Sequence, residues 1–253
     1  VTTVIVGAGN GIGRAVAVQL AESGRTVALL DRDSAALDET AARIEGHALT
    51  YTVDVREAEE VNAAITAVET QAGPVTALAH VAGILNTGSV LDSDISQWRE
   101  MFDVNVFGVL NVVRSVGRLM RERRSGAIVV VGSNAAGIPR MSMGAYGSSK
   151  AASTMLTRVL GLELAEYGIR ANIVAPGSTD TDMQRSLWAD PSDDRYAQPV
   201  VTGDLATYKT GIPLGRIASA EDIADAVEFL LSDRARHITM QSLYIDGGAT
   251  LRA

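Results

Sequence analysis

The amino-acid sequence predicts a single α/β domain, a doubly wound parallel sheet of about seven strands with helices on both faces. Three observations carry this. Short, unbroken, β-branched apolar runs alternate with amphipathic helical patterns along all 253 residues. The runs lack the polar–apolar alternation of half-exposed strands, so each reads as buried on both sides. No repeat, low-complexity tract or linker divides the chain.

The first strand, 2–6, runs into Gly7-Ala8-Gly9-Asn10-Gly11-Ile12-Gly13. An amphipathic helix follows to about 23, and Gly24 closes it as a left-handed glycine does. A strand at 26–30 ends at Asp31. Next are expected a helix over 34–45, a strand over 48–53 leading to Asp54, and a helix over 57–71. The strand 77–81 stops at Ala82-Gly83, and one long helix over 95–120 carries Asn105. The strand 127–131 leads to Ser133, after which Gly137 and Pro139 punctuate a loop. From Tyr146 the pattern turns helical, with Met155, Leu156, Val159, Leu160 and Leu164 on one broad face. The strand 171–175 ends at Pro176-Gly177, an irregular polar stretch spans 179–212, and a helix (221–231) and a strand (242–245) complete the pattern.

Composition excludes several classes. A net charge of −8 disfavours nucleic acid and anionic membranes as partners. The chain has no cysteine, which rules out a disulfide scaffold and a cysteine-ligated metal and is compatible with a reducing, cytoplasmic setting. No apolar run is long enough to span a bilayer, and the N-terminus enters a strand directly, so no signal peptide is expected. His47 and His237 have no partners at ligand spacing, and no metal site is expected. His80 ends a buried strand and reads as a structural hydrogen-bonder.

In a sheet of this kind, ligands bind beyond the carboxyl ends of the strands. The segment Gly7–Gly13, Asp31, Asp54, Ser133 and Pro176-Gly177 all follow strand ends and should gather on one edge. The glycines Gly7, Gly11 and Gly13 let the backbone turn tightly against a pyrophosphate at a helix N-terminus. Asp31 is placed to accept hydrogen bonds from an adenosine ribose diol, which argues for NAD over NADP. Arg32 is a counter-signal, and its side chain is expected to point elsewhere. Asp54-Val55 either borders the adenine or Asp54 caps the next helix.

Tyr146 and Lys150 stand four apart, on one helical face. A phenol is a poor base near neutrality, and a nearby ammonium favours the phenolate. Such a tyrosine can take a proton from an alcohol or return one to a carbonyl. Ser133, at the preceding strand end, is placed to hold the same substrate oxygen.

Together these residues resemble the short-chain dehydrogenase/reductase family over essentially the whole chain. The family pattern is matched by Gly7/Gly11/Gly13, Asn105, Ser133, Tyr146/Lys150 and Pro176-Gly177. The resemblance implies a Rossmann-like sheet and a homotetramer built partly on the helices carrying Asn105 and Tyr146. It makes Tyr146 the acid/base, Ser133 the polariser of the substrate oxygen, and Lys150 the ligand of the nicotinamide ribose. Asn105 would hold a water on a proton relay. Gly9, Asn10, Ile12, Ala82 and Gly83 would border the cofactor, with the Thr179 backbone and Thr181 hydroxyl on the nicotinamide amide. Two departures are Val6, where the family usually has threonine, and His80-Val81-Ala82-Gly83, where it usually has Asn-Asn-Ala-Gly or Asn-Ala-Ala-Gly.

The segment 176–188, the run 139–146 and Gly211-Ile212-Pro213-Leu214-Gly215 resemble members of this family that aromatise a cyclic dihydrodiol acid in siderophore synthesis. The expected substrate is trans-2,3-dihydro-2,3-dihydroxybenzoate, or its amino analogue, dihydro-3-hydroxyanthranilate. A fatty-acid-type ketoreductase and a non-catalytic nucleotide-binding regulator are the alternatives. Asp31 disfavours the first and the full Asn105/Ser133/Tyr146/Lys150 set the second. Arg140 is expected to grip the carboxylate in a bidentate fork. Leu85, Met141, Met183 and Trp188 are expected as apolar walls, with Gln184 beside them, and residues 181–210 as a lid.

Overall fold

The computed structural model describes residues 1–46 and 48–251, so His47 lies outside the described residues. Its strands are β1 (Thr2–Val6), β2 (Thr26–Asp31), β3 (Ala48–Thr52), β4 (Val75–His80), β5 (Gly126–Val131), β6 (Ile169–Pro176) and β7 (Ser242–Ile245). They form one parallel sheet in the order β3-β2-β1-β4-β5-β6-β7. Alternate residues of each strand feed opposite cores. Val4 and Val6 pack on one face with the helices α3 (Ala58–Ala72), α5 (Val109–Arg123) and α6 (Gly144–Leu164). Ile5 packs on the other face with α1 (Gly11–Glu22), α2 (Ser34–Ala41) and α9 (Ala220–Leu231). Burial on both faces explains why the strands read as continuous apolar runs.

The chain order reverses at β1, which has β2 on one side and β4 on the other. That crevice is the topological switch point where ligands bind in open α/β sheets. The backbone closes it tightly. Gly7 N–H donates to the Leu30 carbonyl (2.8 Å), and Ala82 N–H donates to the Val6 carbonyl (2.9 Å).

Four expectations about elements change. The predicted long helix is α4 (Ile95–Phe102), a π-helical segment (Asp103–Gly108) and α5. The wider turn falls at Asn105, which periodicity does not reveal because the apolar stripe continues on both sides. The Tyr146 helix starts earlier, at Gly144, so the tyrosine sits in its first turn. The second helix stops at Ala41, short of 45. The stretch 179–212 is not irregular: it holds α7 (Asp182–Arg185), α8 (Ala197–Thr202) and two short 3-10 turns. Among the described residues, no helix is long and apolar enough to cross a membrane.

Candidate active site

A cleft of about 390 Å³ opens at the carboxyl ends of β1, β4, β5 and β6. Gly7, Asn10, Gly11, Ile12, Gly13, Asp31, Arg32, Asp54, Val55, Ala82, Gly83, Pro176, Gly177, Thr179 and Thr181 all line it. So do Ser133, Tyr146 and Lys150, together with Leu85, Arg140, Met183 and Gln184. The structure thus brings most of the sequence-predicted residues to one cavity.

Ser133 is buried at the end of β5, and its hydroxyl oxygen accepts from Ala135 N–H (3.1 Å). That commitment leaves the hydroxyl proton free for another oxygen, and Ser133 stands close enough to Tyr146 to draw its phenol downward. The expected downward pull of Lys150 on the phenol is not observed. Burial pushes the Tyr146 phenol above its ordinary value, and the opposing pull comes from Ser133. The reason is that Lys150 is itself buried. Desolvation pushes its ammonium down to about 8, and Nζ donates to the Val131 carbonyl (3.1 Å). The amine passes over Gly83, where a Cβ would stand 3.0 Å from Nζ, so a larger residue there would have to push the amine aside.

Asn105 does not line the cleft. Its Oδ1 accepts from Ile84 N–H (2.9 Å), and its Nδ2 donates to the Ile84 carbonyl and to Ser149 Oγ (3.0 Å each). Ser149 in turn donates to the Tyr146 carbonyl (2.8 Å). Both side-chain donors are therefore used within the protein. Asn105 instead braces the loop after β4 against the first turns of α6, and the π turn brings it there.

At the other end, Asp31 Oδ2 accepts from Gly9 N–H (2.9 Å) and Oδ1 accepts from Asp33 N–H (3.2 Å). The backbone thus fixes the carboxylate before any ligand arrives. Gly9 does not line the cleft, because its N–H is spent on Asp31. Arg32 does not turn away: it lines the cleft, and its charge helps lower the Asp54 carboxyl. The main cause of that lowering is Arg56, whose Nε donates to both Asp54 oxygens (3.0 Å). The alternative of Asp54 as helix cap is not realised, since α3 is preceded by Glu57. Thr181 caps α7, accepting from Gln184 N–H (3.3 Å). Its own proton goes to the Thr179 carbonyl (3.3 Å), so the hydroxyl is occupied within the protein.

Two expected apolar walls fail. Met141 is 56% exposed and outside the cleft, because the loop turns through Ser142 with positive φ. Met143 lines the cleft in its place. Trp188 is buried away from the cleft under the Arg185 guanidinium, 4.9 Å from its ring, and Leu187 is the lining residue. Arg185 is held by Asp180 (2.8 Å), so that carboxylate is an ion-pair partner. His80 is buried and pushed down to about 3 by desolvation, with the charge of Lys150 adding to the effect, so it stays neutral; among the described residues neither ring nitrogen has a hydrogen-bond partner within bonding geometry, so the expected hydrogen-bonding role is not seen. Sequence reading missed Asn134, Val200, Lys209 and Ala249, which also line the cavity. Only Lys209 carried a usable signal, being one of two lysines in the chain.

The site fits a nicotinamide dinucleotide. A glycine turn and a helix N-terminus face one wall, a prepositioned carboxylate stands at one end, and a serine–tyrosine–lysine set stands deeper. The comparisons agree. Residues 7–250 match a family profile described as enoyl-(acyl carrier protein) reductase. The chain is 50% identical over 250 residues to the 2,3-dihydro-2,3-dihydroxybenzoate dehydrogenase of Bacillus subtilis (strain 168), covering 98% of this chain and 95% of that one. It is 43% identical over 252 residues to the vibriobactin-specific enzyme of the same name from Vibrio cholerae, covering 98% and 95%. Among solved structures, a 7α-hydroxysteroid dehydrogenase complexed with NADH and 7-oxo glycochenodeoxycholic acid superposes with a TM-score of 0.89 at 28% identity, covering 98% and 93%. The chain belongs to the short-chain dehydrogenase/reductase family.

Proposed function

We propose that this protein oxidises trans-2,3-dihydro-2,3-dihydroxybenzoate to 2,3-dihydroxybenzoate with NAD, in siderophore synthesis. The observation that carries the reading is the gathering of Ser133, Tyr146 and Lys150 in one cleft that the Arg140 side chain also lines. The names of the relatives at 43% and 50% identity support the ring acid. NAD, when bound, accepts the hydride. Tyr146 takes the hydroxyl proton, Ser133 holds the reacting oxygen, and Lys150 orients the ribose. The ketone then enolises to an aromatic ring, which makes the oxidation hard to reverse. NADH formation from purified protein with the dihydrodiol acid and with its amino analogue tests the reading. No NADH from either acid overturns it.

Asp31 supports NAD, since a carboxylate repels a 2′-phosphate, and the Arg32 beside it leaves the preference to be measured. Asp31→Ala should weaken NAD and narrow the gap to NADP. An unchanged ratio of the two kcat/KM values refutes the assignment.

Arg140 is half-buried, and among the described residues its side chain has no ion-pair partner. A hydrogen bond to a charged group contributes about 1.5–3 kcal/mol, roughly ten- to a hundred-fold in binding. Arg140→Met is expected to raise KM for the acid by about that factor. A neutral cyclic alcohol of similar size should lose little. Equal damage to both substrates would mean that Arg140 only shapes its loop.

The protein is proposed to work in the cytoplasm as a homotetramer. Exposed Met155, Val159 and Leu162 form one stripe along α6, and Phe107 is exposed on the π segment, which supports assembly through these helices.

A further inference from the structure

The charged side chains of the cleft divide into two groups. Asp31, Arg32 and Asp54 stand at the edge formed by β2 and β3. The other half holds Arg140, Lys150 and Lys209, and among the described residues no carboxylate lines it. A chain with net charge −8 has gathered three cations around the place where substrate reacts. Lys150 is buried and donates to the Val131 carbonyl. Arg140 belongs to the loop before α6. Lys209 comes from the segment covering the cleft, and its role is unassigned.

The backbone holds Lys209 in place. Asp204 N–H donates to the Lys209 carbonyl and Lys209 N–H donates to the Asp204 carbonyl, both at 2.9 Å. The next residue, Thr210, donates its hydroxyl proton to the Ala249 carbonyl (2.9 Å), and Leu214 N–H donates to the Gly247 carbonyl (3.1 Å). These bonds tie the segment to the chain just after β7, on the Ser133 side of the sheet. Asn134, next to Ser133, is linked to that same stretch by a 3.4 Å hydrogen bond to Asp246. The backbone that carries Lys209 is therefore held to the substrate half.

The carboxylate nearest in sequence does not neutralise it. Asp204 feels the lysine charge, but its oxygens accept from Ala206 N–H (3.0 Å) and the Thr207 hydroxyl (2.7 Å). Among the described residues the Lys209 ammonium has no ion-pair partner. Lys209 is exposed, as a side chain reaching over an open cleft must be.

We infer that Lys209 is a second ligand of the substrate carboxylate, gripping from the covering segment the acid that Arg140 holds from the opposite loop. This rests on the ring-acid reading above. It makes recognition two-sided. An acid bridges the body and the covering segment, whereas a neutral ring leaves both cations of the cavity without a counter-charge. Discrimination against neutral cyclic alcohols then has an attractive part and a repulsive part.

The test measures equilibrium binding of 2,3-dihydroxybenzoate and of catechol, the same ring without the carboxylate, to the full-length protein with NAD present. Titration calorimetry reads the affinity. Lys209→Met is expected to weaken 2,3-dihydroxybenzoate about ten-fold, as loss of one charged hydrogen bond does, and to leave or improve catechol. Lys209→Arg should restore most of the loss. In turnover of the dihydrodiol acid, KM should carry the change more than kcat. Unchanged affinity for the acid in Lys209→Met, or an equal loss for catechol, overturns the inference. The two readings fail separately. If the wild type neither oxidises the dihydrodiol acid nor binds 2,3-dihydroxybenzoate, the proposed function falls and takes this inference with it. If the wild type does both and Lys209→Met matches it, only the role of Lys209 falls.

Discussion

Tyr146→Phe is expected to lower kcat by about 10²–10⁴-fold, the range for loss of a positioned acid/base. The substitution removes one oxygen and keeps the ring, so the wall of the cleft survives and NAD should still bind. The pH profile distinguishes chemistry from packing. Oxidation needs the phenol deprotonated, so kcat/KM of the wild type rises with pH until the phenolate is fully formed. Burial places that rise higher than an exposed phenol would, and Ser133 brings it down. Tyr146→Phe should lose the rise altogether. Ser133→Ala removes the downward pull, so its rise should move to higher pH with a smaller loss of rate. Near-normal turnover in Tyr146→Phe would sink the mechanism. A pH profile unmoved in Ser133→Ala would show that the serine does not tune the tyrosine.

Gly13→Ala is expected to abolish measurable NAD binding and to destabilise the whole domain. A Cβ at Gly13 would lie 1.8 Å from the Gly7 carbonyl oxygen and 2.7 Å from its carbon. Both are backbone atoms, so no side-chain rotation relieves the clash. The start of α1 must move away from the turn after β1. That turn also packs against β4, since a Cβ at Gly7 would meet Ala82 N at 2.5 Å. Overpacking usually costs about 1–3 kcal/mol, and each kcal/mol lowers Tm by about 2–4 °C at this size. A fall in Tm of roughly 2–12 °C follows from those two figures. Gly117→Ala is the control. It sits in α5 with only Leu164 Cδ1 near, at 3.8 Å, so a methyl fits there. Its stability should hold or rise slightly, because alanine loses less entropy than glycine on entering a helix. Wild-type NAD affinity in Gly13→Ala would show that the turn does not have to be this tight.

The sheet was legible because its strands are buried on both faces and therefore appear as unbroken apolar runs. All seven strands were recovered within about two residues at each end. The serine, tyrosine and lysine were legible for a different reason. Their chemistry depends on short-range spacing within one strand-loop-helix unit. The glycine turn was legible because a tight strand-to-helix connection demands small residues in fixed places.

The misses share another cause. Asn105 was placed on the right helix, but its partners Ile84 and Ser149 are distant in sequence, and a single π turn decides where its amide points. Met141 and Met143 are chemically alike and two residues apart, and only the backbone path at Ser142 decides which one enters the cleft. The same holds for Leu187 and Trp188.

Local composition and spacing therefore determined the fold class, the placing of Tyr146 with Ser133 and Lys150, and the position of the Asp31 carboxylate at the end of β2, because those depend on neighbours along the chain. Tertiary structure alone decided the protonation balance around Tyr146, since desolvation comes from atoms brought in by the whole sheet edge. It also decided that Lys209 reaches the cleft that Arg140 lines. Sequence separation hides that meeting: the two cations are brought to one cavity only when β5, β6 and β7 pair and carry their following loops to the same edge.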